Sequence, residues 1–91
     1  MNFLHYMVST QAGDLIQAFL TGNAAWVRVM DDLNFQCYRS GLQYQYYGGH
    51  YTQSPAIIRS PAAGSWNVVI DLGGMAGHVN ATVRVLQFQN R

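Results

Sequence analysis

Two runs near the end of the chain, 66–72 and 78–86, switch faces residue by residue, and that period of two is the strongest constraint on the fold. Trp66, Val68, Ile70 and Leu72 share one side against Asn67, Val69 and Asp71. Val79, Ala81, Val83 and Val85 share one side against Asn80, Thr82 and Arg84. Such patterning builds strands with one face on a core. The polar residues between them argue for antiparallel pairing with the other face in water.

Earlier segments follow the same rule between turn signals. Strands are expected over 3–8, 14–20 and 26–30, the last with Val27 and Val29 inward, and a short one over 56–59 bounded by Pro55 and Pro61. Residues 43–47 and 50–53 read as a hairpin about Gly48-Gly49, a pair that tolerates the positive φ of a tight primed turn. One short helix is expected over 31–38, opened by an Asp cap. The whole therefore reads as all-β: an antiparallel two-sheet β-sandwich, jelly-roll-like, of seven to eight strands. At 91 residues it forms a single domain spanning 1–91.

The charge inventory supports sheet over helix. Five arginines and four aspartates carry every formal charge, with no Lys or Glu, so the commonest helix-surface residues are missing. A net charge of +1 from scattered arginines makes no basic stripe, which argues against duplex nucleic acid as a partner. No apolar run approaches the roughly 18 residues of a membrane span. Residues 1–8 lack the basic and apolar regions of a signal peptide, and Cys37 has no partner for an internal disulfide. A cytoplasmic protein is expected.

Catalytic chemistry finds little purchase. No Ser, Cys or Thr sits in a recognisable nucleophile setting, and His5, His50 and His78 lack metal-ligand spacing. Asp31-Asp32 is better explained as the start of a helix than as an acid and base pair. Gly73-Gly74 with Gly77 lacks the Lys and following helix of a phosphate-binding loop and reads as a turn. A non-enzyme is expected, with no metal and no cofactor.

What exceeds the needs of a plain β-domain is aromatic. Five of the six tyrosines fall between Tyr38 and Tyr51. On a strand Tyr44 and Tyr46 share a face while Tyr47 takes the other, so one core cannot absorb them all. Exposed Tyr offers rigid amphipathic area for stacking. Tyr44, Tyr46, Tyr47, His50 and Tyr51, flanked in sequence by Arg39 and Arg59, are the candidate ligand-binding residues. The same tyrosines serve equally as cross-strand packing. A second candidate is the outward side of 26–30, where Trp26, Arg28 and Met30, together with Phe19, would leave an apolar patch. Either the helix covers it or another subunit does, and a homo-oligomer with these four at its interface is the expectation.

Read as blocks, Gly13-Asp14, Gly22-Asn23-Ala24-Ala25, 27–32, Asn34-Phe35, Tyr38, Tyr46-Tyr47-Gly48-Gly49, Ser54-Pro55, 66–74 and 83–86 resemble the small bacterial family known as domain of unknown function 1883. The resemblance covers nearly the whole chain. It departs at 7–10 and in the extra aromatics, Trp26 and the 44–51 cluster. It implies a compact β-sandwich that occurs alone or joined to a TIR domain, hence a setting near bacterial immune signalling. No settled activity comes with it, so no catalytic residue carries over. Two functions follow as expectations: a module that senses or sequesters a nucleotide-derived signal, and an interaction or self-assembly module with no small ligand.

Overall fold

Alternating β-branched and aromatic residues produce seven strands and one helix in the computed structural model, which describes residues 2–87. The strands are β1 (Leu4–Thr10), β2 (Leu15–Gly22), β3 (Ala25–Met30), β4 (Tyr47–Tyr51), β5 (Ala56–Arg59), β6 (Gly64–Asp71) and β7 (Val79–Leu86). The helix α1 (Asp32–Ser40) lies between β3 and β4. All pairings are antiparallel, in one sheet of order β1-β6-β3-β4 and a second of order β5-β2-β7.

The two sheets face each other through Val27, Val29, Val68 and Ile70 on one side and Ile16, Ala18, Ala56 and Ile58 on the other, all buried. Each fully buried aliphatic side chain contributes about 1.5–3 kcal/mol, so this layer is the main source of stability. The chain crosses between sheets at every step except from β3 to β4. In an eight-stranded jelly roll one central pair likewise stays in a single sheet. The two orders are those of a jelly roll whose first strand is absent among the described residues.

The helix is set by its ends. Asp31 is the N-cap, and its side chain accepts from the Asn34 amide at 2.8 Å. Gly41 closes the other end at φ 76°, a left-handed conformation that glycine adopts without strain, with Leu42 N bonded to Cys37 O at 2.9 Å. Hydrogen bonds from the Asn34 backbone and side chain hold the Asp31 carboxyl below the usual carboxylate range. Asp31→Ala should therefore cost about 1 kcal/mol, whereas Asp31→Asn keeps the cap and should stay within a few tenths of the parent, both read from thermal unfolding. The carboxylate charge of Asp31 adds a small increment to the cap. It is present above the ordinary carboxylate pKa and lost as pH falls through the lowered folded value.

Two expectations change here. The outer face of the first sheet is covered at β3 and β6, while His5, Met7 and Ser9 of β1 stay exposed on it. Phe35 and Tyr38, one turn apart on α1, bury Met30 and Val69 with help from Phe3, and Asn67 and Asp71 are buried there too. Of the two covers expected for the outward face of 26–30, the helix is the one observed, whereas the period-two pattern of β6 gave no sign that Asn67, Val69 and Asp71 would share it. Nor is Gly48-Gly49 a hairpin turn. Both glycines lie inside β4, where Gly48 pairs with Arg28 and Gly49 with Val27. Gly48 has φ 124°, and a Cβ there would stand 2.1 Å from the Val27 carbonyl oxygen. Glycine is required by the close approach of two strands, not by a change of direction.

Candidate functional site

Three elements of the first sheet end together: β3 finishes at Met30, β4 starts at Tyr47, and β6 carries Trp66 near its start. The first turn of α1 rises beside them, and the segment before β4 folds back over that turn. Gln45 N donates to Asn34 Oδ1 at 2.8 Å, and Asn34 Nδ2 donates to Asp31 Oδ1 at 2.9 Å. The result is a groove of about 460 Å³ lined by Met30, Asp31, Asn34, Tyr44, Gln45, Tyr46, Tyr47 and Trp66. That volume is within the roughly 300–1,000 Å³ of small-molecule sites.

Its walls are aromatic rings interspersed with the polar groups of Asp31, Asn34 and Gln45. Tyr47 and Trp66 meet edge to face, with centroids 6.1 Å apart at 89°. Tyr44 and Tyr46 lean together at 5.7 Å and 39°, and Tyr44 in turn stands edge-on to Tyr38 at 5.2 Å. Tyr47 is 51 % exposed and Tyr46 37 %, so both rings present area to solvent. Trp66 is fixed by its indole N–H, which donates to Ala62 O at 3.1 Å.

Behind the groove lies a buried polar cluster. The Arg28 guanidinium forms an ion pair with Asp71, and the Tyr38 hydroxyl donates to the same carboxylate oxygen at 2.7 Å. The backbone N–H of Gly73 donates to the other oxygen at 2.8 Å. Arg28 also lies over the Trp26 ring at 4.8 Å and the Tyr46 ring at 5.3 Å. Burial disfavours the Arg28 charge, but the hydrogen bond and charge of Asp71 outweigh that and raise its pKa. Burial, reinforced by the bond to Asp71, pushes the Tyr38 phenol above its ordinary range.

Of the seven candidate ligand residues, the structure brings Tyr44, Tyr46 and Tyr47 to the groove. The other four lie elsewhere. Tyr51 is half-buried against the sandwich core, and His50 packs beside Trp26 at 5.2 Å. Arg39 is in the last turn of α1 over Phe35, and Arg59 on β5 donates to Gly13 O at 3.2 Å. The four interface residues are also separated. Met30 and Arg28 are buried beneath α1, so they offer no surface to a partner, and Trp26 is half-buried with Arg28 stacked on it. Phe19 is on the outer face of the other sheet, with Arg84 5.9 Å over its ring.

Sequence reasoning missed Asp31, Asn34, Gln45 and Trp66 as groove residues. Asp31 was visible as a helix cap and Trp66 as a core residue, and each has both roles because the groove opens where core and cap meet. Among the described residues, no three of His, Cys, Asp or Glu converge as a metal ion would need, and no helix is long and apolar enough to cross a membrane. His5 bonds to Asn67 Oδ1 at 2.8 Å and stacks on Phe35.

Comparison with known proteins adds one result. The model of the family described as Domain of unknown function (DUF1883) matches residues 1–89. No curated protein and no solved structure matches the chain.

Proposed function

We propose, from the premise that the chain belongs to the DUF1883 family and that this family's description assigns no activity, that the protein is a non-catalytic binding module. It captures a small molecule in the groove of Tyr44, Tyr46, Tyr47 and Trp66. The observation that carries this reading is the combination of exposed, mutually braced rings with a concave shape of ligand size. Rings used only for packing would be sealed, whereas Tyr46 and Tyr47 keep open area at the rim. Of a nucleotide-derived signal, the groove would hold the nucleoside end by stacking, since no arginine among the described residues lines it to meet phosphate. Beside a TIR domain such a module would sense its ligand; alone it would sequester it.

Titration calorimetry with a panel of nucleosides, nucleotides and organic cations tests this. A saturating ligand is expected, with affinity falling about 5- to 150-fold in Tyr47→Ala and in Tyr46→Ala, the equivalent of one stacked ring. Binding unchanged in both variants, or no binding across the panel, would remove the groove as the site.

A second reading, self-assembly, is favoured by a different surface. Among the described residues no helix lies over the outer face of the β5-β2-β7 sheet, which exposes Phe19, Ile57 and Leu86. Uncovered apolar area of this kind is more usual at an interface than on a free monomer. On this reading the mass in solution is that of a dimer, and Phe19→Asp returns it to a monomer.

A further inference from the structure

Resting on the reading of the groove as a binding site, we infer that its occupant is an organic cation of the alkylated-ammonium type. Two features of the groove act together. Four electron-rich rings, Tyr44, Tyr46, Tyr47 and Trp66, surround one space, and Tyr47 and Trp66 form a square corner in it. Ring faces carry negative electrostatic potential and attract cations, tryptophan most strongly. The charged side chain among the described lining residues is Asp31, a carboxylate.

The local charge balance keeps this sign. Asp31 accepts two hydrogen bonds from Asn34 on one oxygen, Oδ1, and these bonds lower its pKa, so it is ionised throughout the neutral range. Asp32 follows it in the first turn. Asp32 does not line the groove and accepts from Asn67 Nδ2 at 2.8 Å, and the N-terminus of α1 opposes Asp31 with only about half a positive charge, so the groove keeps a net negative sign. The Arg28 guanidinium touches Tyr46 but is paired with Asp71, and the pair is neutral as a unit. A phosphate or carboxylate ligand would meet repulsion here. A small ammonium ion would gain charge attraction but little contact with the rings. An ammonium carrying methyl groups satisfies both requirements, because its charge is spread over an apolar surface that stacks on rings and gives up water cheaply.

Choline, its uncharged isostere 3,3-dimethylbutan-1-ol and adenosine monophosphate are the probes, followed by Trp66 indole NMR shifts and tryptophan fluorescence on the full chain. Choline should saturate and bind about tenfold or more tightly than the isostere, and more tightly than the nucleotide. Asp31→Asn keeps the helix cap and removes the charge, so it should weaken choline several-fold without moving the isostere or the melting temperature. Trp66→Leu should remove choline binding, read by titration calorimetry because this variant lacks the reporter indole, with the circular dichroism spectrum as the check on folding. Equal affinity for choline and its isostere, or tighter binding of the nucleotide at the same indole, would overturn the cation assignment while leaving the groove a binding site. Failure of all three probes on folded protein would overturn it as well, and the wider panel would then decide the groove itself.

Discussion

Gly48→Ala is expected to cost about 3–5 kcal/mol of folding free energy, while Gly49→Ala, one residue away, should change it by less than about 1 kcal/mol. The contrast comes from where each Cβ would point. At Gly48 the added carbon meets the Val27 carbonyl oxygen at 2.1 Å and the Ile58 Cδ1 at 3.0 Å, on a backbone with φ 124°. Forcing a side chain into that conformation costs about 1–3 kcal/mol, and relieving the contact means separating β4 from β3. At Gly49 nothing stands within 4 Å, and φ lies outside the left-handed region. Urea unfolding of the two variants measures this directly. The pair also separates two architectures: a primed turn would need both glycines, so equal penalties at 48 and 49 would restore the hairpin and dissolve β4 as a straight strand.

Asp71→Ala should be comparably severe. It would leave the Arg28 guanidinium buried without a counter-charge and the Tyr38 hydroxyl without the acceptor 2.7 Å away. Breaking a buried ion pair from one side costs about 3–5 kcal/mol, against a total stability of about 5–15 kcal/mol for a domain. Removing both partners differs in kind. Arg28→Met with Asp71→Leu should recover most of the loss, because no lone charge remains, and the double-mutant cycle yields the coupling. Tyr38 adds a pH signature. Its phenol titrates at higher pH folded than unfolded, so its contribution is intact below the ordinary phenol value of about 10 and is lost as pH rises beyond it. Tyr38→Phe should flatten that alkaline slope, measured as unfolding free energy between neutral and strongly alkaline pH.

The sandwich was readable because its inner layer obeys one rule. Val27 and Val29, Val68 and Ile70, Ile16 and Ala18 all fall on the expected side, and the helix lies within two residues of its predicted span. The rule fails on the second face of β3 and β6. Arg28, Asn67 and Asp71 look like solvent residues in a period-two pattern, yet all three are buried and bonded to groups far away in sequence: Asp71 pairs with Arg28 and Tyr38, and Asn67 bonds to His5 and Asp32. No local pattern encodes a partner 33 or 62 positions away. The groove was half readable for the same reason. A cluster of tyrosines marks an unusual segment, but which rings line one space depends on Asn34 catching the backbone at Gln45 and on Trp66 arriving from another strand. Arg39 and Arg59 were neighbours of the tyrosines only along the chain.

The crossing path of the chain bears on how the protein is made. Among the described residues β1 pairs with β6 alone, and β6 separates β1 from β3 in the first sheet. β7 supplies the longest pairing that β2 has. A nascent polypeptide therefore emerges from the ribosome with its first strand unmated and its third lacking one neighbour until Asp71 is clear, and the opposite layer waits for Leu86. Cooperative closure is thus deferred until Leu86 is available, and a product truncated before Gly64 would leave one edge each of β1, β2 and β3 without its partner strand and open to self-association.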